Sequence, residues 1–143
     1  MIHNIKEWFK AAKPNPSAED VCIQIGCHYE EVAEMSAVLN YDVEYVLAAT
    51  ALEYQMYYSG YLGAALEELS ADARVELLDA LCDQIVTAVG VAYMMGMDIE
   101  GALAEVNRSN WSKFKDGFVP VFNEYGKIVK GAEYTPPELS DYI

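Results

Sequence analysis

In QIGCHYEEVAEM, residues Gln24 to Met35, two glutamates three apart, Glu31 and Glu34, stand among apolar residues at helical spacing. A helix puts such a pair on one face, with Cβ atoms about 5–6 Å apart. Carboxylates held that close repel each other unless a cation stands between them. Downstream, VELLDALCDQIVTAVGVAYMMGM, residues 75–97, carries a second pair, Glu76 and Asp79, on a stretch otherwise apolar almost all round. Its strong polar residues Glu76, Asp79 and Asp83 fall at i, i+3 and i+7, a single stripe. Acidic residues on so apolar a helix are rarely buried unpaired, so a cation is expected beside them. The pattern predicts two helices whose acidic pairs face each other across a divalent cation.

Outward from this stretch the periodicity stays helical. Ile25, Val32, Met35 and Leu39 give an apolar face, and Gln24, His28, Glu31 and Glu34 line the adjacent stripe, so these carboxylates are expected to border the core. Ser17 followed by Asp20 predicts the cap of this helix. Pro14 and Pro16 separate it from a first helix over Ile2 to Ala12, with apolar residues at Ile5, Trp8, Phe9 and Ala12. Asn40, Tyr41 and Asp42 predict a turn, with Asp42 capping a third helix from Val43 to about Leu69. That segment carries more large residues than one face needs, Tyr45, Tyr54, Tyr57, Tyr58, Tyr61 and Leu62 among them, which points to a subunit interface. Gly60 and Gly63 weaken it as one unbroken helix. Ser70 to about Met95 forms the fourth helix, closed by Gly96, and Asp98 begins a fifth. NRSNWSK, residues 107–113, follows, and from Asp116 the chain is irregular, with Gly117, a turn around Tyr125 and Gly126, and Pro136 and Pro137. The expected fold class is all-α, a bundle of about five helices with an irregular C-terminal arm. It forms one domain over residues 1–143: an N-terminal helix and linker (1–16), a helical core (17–114) and the arm (115–143).

A chain of 143 residues, 53% of them hydrophobic, is long enough to bury a core and unlike a disordered one. It has no apolar run of membrane-spanning length, and MIHNIKEWFKAAK lacks the apolar core of a signal peptide, so the expected compartment is the cytoplasm. Cys22, Cys27 and Cys82 form no CxxC and are odd in number, as expected of reduced, mostly buried thiols. A net charge of −14 disfavours nucleic acid or an anionic membrane as partner. A phosphate substrate is also an anion, and bound divalent cations would have to reverse the sign locally.

Taken together, Glu30, Glu31 and Glu34 as EExxE, then Glu76 and Asp79 as ExxD, resemble the MazG-like all-α nucleoside triphosphate pyrophosphohydrolase superfamily. That group includes dimeric dUTPases and phosphoribosyl-ATP pyrophosphohydrolase. QIGCHYEEVAEM, ELLDALCDQIVTAVG, EVNRSNWSKF and GKIVKGAEYTPPEL are similar, in order, to its phage-type and Cof-associated branch, over about Asn15 to Leu139. The resemblance implies cleavage of a nucleoside triphosphate between its α and β phosphates to monophosphate and pyrophosphate. It implies Mg²⁺ or Mn²⁺ as cofactor and Glu31, Glu34, Glu76 and Asp79 as its ligands. Glu34 or Asp83 would position or deprotonate the attacking water. Gln24, His28, Asn107, Asn110 and Lys113 are the substrate-binding candidates, Asn107 standing where the branch often has histidine. The expected substrate is a deoxynucleotide such as dGTP, with dUTP or dCTP as the alternative, and the expected assembly a homodimer or homotetramer. In phage-encoded relatives such enzymes adjust nucleotide pools in the host cytoplasm.

Plainer readings stand beside these. Glu31 and Glu34 alone fit a solvated helix face. His28 either touches substrate or makes one hydrogen bond in a core or interface. With Glu31 three residues after it the order is reversed from the Glu-x-x-His of a di-iron site, which drops out. Arg108 and Lys115 either contact phosphate or complement a helix dipole. Tyr54, Tyr57, Tyr58 and Tyr61 either stack on a base or form core, and Lys127 and Lys130 either reach over an active site or are surface charge. The competing class is a non-enzymatic acidic protein that mimics DNA, which would need carboxylates spread over the exterior.

Overall fold

The computed structural model describes residues 2–38, 44–57, 66–116 and 119–143, and the described residues are all-helical. They form five α-helices: α1 (Ile2–Ala12), α2 (Ala18–Val38), α3 (Glu44–Leu52), α4 (Ala71–Met94) and α5 (Ile99–Trp111). A π-helical turn, Glu53–Tyr57, continues α3, and a 3-10 turn spans Ser140–Tyr142. Among the described residues there is no strand, and Lys115 and Val119 form an isolated antiparallel bridge. The turn expected at Asn40, Tyr41 and the cap Asp42 lies outside the described residues, as do Leu39, Val43, Tyr58, Gly60, Tyr61, Leu62, Gly63 and Gly117.

Local chemistry sets the helix ends. At the start of α2 the Ser17 N–H donates to Asp20 Oδ2 (2.9 Å) and the Asp20 N–H donates to Ser17 Oγ (3.2 Å), a reciprocal box that satisfies two orphan donors. Ser70 caps α4 by accepting from the Ala73 N–H (3.1 Å), and Asp98 caps α5 by accepting from the Gly101 N–H (3.0 Å). Gly96, at φ +77°, ends α4: its N–H donates to the Tyr93 carbonyl while the Met97 N–H reaches Ala92. A left-handed residue is needed there, and glycine adopts it without strain.

The chain divides into two compact units. The first comprises Met1–Pro14, Leu69–Val121 and Ile128–Ile143, the second Asn15–Glu68 and Phe122–Lys127. In the first, Trp8, Ala12 and Phe114 form the core, with Phe9, Trp111 and Ile128 packed against it. Phe114 is 1% exposed, stacks on Trp8 (ring centroids 5.6 Å apart) and meets Trp111 edge-on. The Trp8 Nε1–H donates to the Asn110 carbonyl (2.9 Å), so the one polar atom of this ring is satisfied.

The C-terminal arm lies along α5. Arg108 donates to both carboxylate oxygens of Glu105 (2.8 and 2.7 Å), to Thr135 Oγ1 (2.7 Å) and to the Pro136 carbonyl (3.0 Å). Ser109 Oγ donates to the Thr135 carbonyl, the Thr135 N–H to Ser112 Oγ, and the Asp98 N–H to the Tyr142 carbonyl. Helix α4 is different: Ala92 is its one buried residue, while Val75, Leu78, Ile85 and Val86 are exposed and Tyr93 is 80% exposed.

In the second unit α2 packs against α3 and the π-turn. The buried residues of α2 are Cys22, Ile23, Gly26, Ala33 and Ser36, whereas Met35 is exposed and Ile25 and Val32 are half-buried. This corrects the expected apolar face. Small side chains let the helix axes approach closely, and a Cβ added at Gly26 would lie 2.7 Å from the Ala51 carbonyl oxygen. Close backbone approach, rather than a stripe of large residues, defines the contact. The third helix gives way at Glu53 to the wider π-turn that brings Gln55 against Gly26, and residues 58–65 of the expected helix lie outside the described residues.

Candidate functional site

Gly26, Glu30, Ala33 and Ala37 fall at i, i+4, i+7 and i+11 on α2, one stripe, and it is the stripe turned to α3. Glu30 is therefore half-buried, Glu34 one turn on stands at the border, and Glu31 is carried round to solvent. Glu31 is exposed and away from the cleft, which corrects the expectation that it borders the core, while Glu34, also exposed, stands at the cleft's rim. Between α2 and α3 lies an open cleft of about 390 Å³. Alanines 33, 37, 48 and 51 line it, and Glu30, Glu34 and Gln55 supply its polar groups.

Glu30 has two side-chain partners. Its Oε2 accepts from Gln55 Nε2 (3.2 Å) and from the Lys127 ammonium. Partial burial pushes its carboxyl up, but the hydrogen bonds from Lys127 and Gln55 outweigh this and hold it below the ordinary value of 4.5. Burial pulls the Lys127 ammonium down, and the bond to Glu30, with the nearby Cys27, Glu30 and Glu31, raises it above its ordinary value on balance. A tight turn presents Lys127. Asn123 Oδ1 accepts from both the Tyr125 and Lys127 N–H groups (3.0 Å each), the Asn123 N–H donates to the Lys127 carbonyl, and Gly126 sits at φ +79°.

The other sequence-derived candidates are placed as follows. Gln24 and His28 lie on α2 and are exposed, so His28 is not a core histidine. Tyr54 stacks on Tyr29 (centroids 5.6 Å apart), and burial, with Tyr29 next, pushes its hydroxyl up, so this ring is part of the packing. On α4, in the first unit, Glu76, Asp79 and Asp83 are all exposed, which corrects the expectation that they are buried on an apolar helix. Asn107 and Asn110 are half-buried near the end of α5, and the Lys113 ammonium stands 5.8 Å from the centroid of Trp8. Arg108 is a tether for the arm, and the Lys130 ammonium stands 4.9 Å from the Tyr134 ring centroid. Cys22 is buried, Cys27 half-buried and Cys82 exposed, so the cysteines are not uniformly buried.

Glu31 with Glu34, and Glu76 with Asp79, each offer carboxylate oxygens to solvent one helical turn apart, where water can fill the remaining positions. That all-oxygen donor chemistry fits Mg²⁺ or Mn²⁺. Among the described residues, no group of three or more His, Cys, Asp or Glu side chains is gathered closely enough to hold a metal ion. No helix among them is long and apolar enough to cross a membrane.

The Glu30–Gln55–Lys127 clasp is the feature that sequence reasoning missed. One signal for it was present: no Lys or Arg occurs between Asn15 and Glu68, so any cation paired there comes from elsewhere in the chain. No family model matches the chain, and no curated protein or solved structure matches it.

Proposed function

We propose that this protein hydrolyses a nucleoside triphosphate, a deoxynucleotide such as dGTP, to monophosphate and pyrophosphate with Mg²⁺ or Mn²⁺. The observation that carries this reading is the exposed Glu31–Glu34 pair on α2, with Glu34 at the rim of an alanine-lined cleft. The pair gives oxygen donors for a cation, and the cleft beside it has an apolar lining suited to a base or sugar, with Gln55 as a polar contact. Glu31 and Glu34 on α2, and Glu76 and Asp79 on α4, are the proposed cation ligands. A bound divalent ion supplies charge neutralisation of the phosphate oxygens and an acidified water.

The chain's own groups have separate tasks in this scheme. A carboxylate oxygen of Glu34 or Asp83 accepts the proton of the attacking water. Gln24 and His28 offer solvent-facing polar groups on α2, and Asn107, Asn110 and Lys113 are the phosphate contacts proposed from α5 and the segment after it. dUTP and dCTP are alternative substrates. Self-association through the exposed apolar side chains of α4 belongs to the same reading, as a dimer or tetramer.

A second reading draws on the exposure of Glu31, Glu34, Glu76, Asp79 and Asp83: a non-catalytic acidic protein that mimics DNA needs its carboxylates on the exterior. Pyrophosphate release from each common NTP and dNTP with Mg²⁺ or Mn²⁺ separates the two, with Glu34→Ala and EDTA as controls. Metal-dependent release that is lost in Glu34→Ala is the expected result. A folded protein that releases pyrophosphate from none of them overturns the enzymatic reading and leaves the mimic.

A further inference from the structure

The second unit contains eleven Asp and Glu residues and a single Lys or Arg, Lys127. A polyanion approaching this unit meets carboxylates nearly everywhere. The lone ammonium is not scattered on the surface: a turn built on Asn123 and Gly126 presents it, and it reaches Glu30, a residue that lines the α2–α3 cleft together with Glu34. Glu30 has a second partner in Gln55, so its oxygen keeps one donor if Lys127 moves away. A part-exposed ion pair of this kind contributes little to stability, and exchanging its carboxylate for a phosphate oxygen costs correspondingly little.

We propose that Lys127 is the phosphate-binding cation of the α2 face, held by Glu30 until a polyphosphate bound through the Glu31–Glu34 cation replaces that carboxylate as its partner. The proposal rests on the reading of Glu31 and Glu34 as cation ligands and adds a residue, and an exchange of partners, to it. Lys127 touches the substrate's phosphate chain, while Glu30 and Gln55 position the lysine. Glu30 then opposes phosphate binding, since it competes for the same ammonium.

Two substitutions that both break the clasp therefore act in opposite directions. Binding of inorganic tripolyphosphate to the full chain, at saturating Mn²⁺, is measured by calorimetry for the native protein, Lys127→Met, Lys127→Arg and Glu30→Gln. Binding of Mn²⁺ alone is followed by electron paramagnetic resonance. Lys127→Met is expected to weaken tripolyphosphate about tenfold, the effect of one lost charge-assisted contact, while keeping or tightening Mn²⁺. Lys127→Arg restores binding, and Glu30→Gln tightens it. If Lys127→Met and Glu30→Gln shift tripolyphosphate affinity in the same direction, or neither shifts it, Lys127 is a structural clasp and the proposal is wrong. Failure of the underlying reading looks different: the native protein then binds no Mn²⁺ even with tripolyphosphate present.

Discussion

Replacing Gly26 by alanine tests the close approach on which the α2–α3 face is built. The new Cβ would lie 2.6 Å from Gln55 Cγ, 2.7 Å from the Ala51 carbonyl oxygen and 3.1 Å from the Gln55 backbone nitrogen. Carbon–oxygen contacts in proteins begin near about 3.3 Å, so roughly half an ångström has to be found between the two helices. Two of the three obstructing atoms are backbone and cannot rotate aside. Overpacking of this kind costs about 1–3 kcal/mol, against which alanine returns up to about 1 kcal/mol of helix propensity. Displacing the π-turn also stretches the 3.2 Å hydrogen bond from Gln55 to Glu30, a further loss of about 1 kcal/mol. The net expectation is a destabilisation of about 1–3 kcal/mol, read as a fall of roughly 3–10 °C in the thermal midpoint by circular dichroism. Gly90 on α4 is the internal control, because a Cβ built there meets no heavy atom of the described residues within 4 Å beyond its chain neighbours and the helix's own backbone. Gly90→Ala should stabilise by up to about 1 kcal/mol. A Gly26→Ala protein as stable as Gly90→Ala would refute the close packing of α2 on α3.

Two further outcomes follow from the first unit. Phe114→Ala empties the centre of the Trp8–Trp111 cluster and should cost about 3–5 kcal/mol, measured by urea denaturation, with tryptophan fluorescence reporting the same transition. Acid should release the C-terminal arm: Arg108 first, then the Glu138 N–H, hold the Glu105 carboxyl down to about 2. Because that carboxyl is depressed below its ordinary value of 4.5, its tether is complete above pH 4.5 and lost as pH falls through about 2. Limited proteolysis by an acid protease should therefore cut the arm increasingly across that window, and Glu105→Gln should make it susceptible already at its upper end.

The boundaries of α1 and α4, and the starts of α2 and α5, were legible because each is written in local chemistry. Proline cannot continue a helix, and Ser17, Asp20, Asp98 and Gly96 satisfy helix ends through neighbours within a few residues in sequence. Facing was less legible. Hydrophobic periodicity favours large residues, so it pointed to Met35, whereas α2 buries Gly26, Ala33 and Ser36, whose contribution is to let another helix come close. Nor does sequence spacing distinguish Glu30 from Glu31: adjacent residues stand about 100° apart on a helix, and only the position of α3 decides which of them meets Gln55 and Lys127. The lysine is 97 residues from its partner, a separation that local pattern does not bridge.

The exposure of the carboxylates changes what holds a cation, and with it the expected order of binding. Had Glu76 and Asp79 been buried, the cost of leaving them uncompensated would have favoured a tightly held ion. Exposed pairs lose little by remaining hydrated. Mg²⁺ gives up its waters reluctantly and is commonly held by one or two carboxylates together with substrate phosphates. On the hydrolase reading, Glu31 and Glu34 then bind the ion weakly alone and well only with a polyphosphate present. Linkage makes this reciprocal, so Mn²⁺ should raise tripolyphosphate affinity by the same factor as tripolyphosphate raises Mn²⁺ affinity. A DNA mimic predicts no such coupling, because its carboxylates stand in for the phosphates and have no use for a second anion.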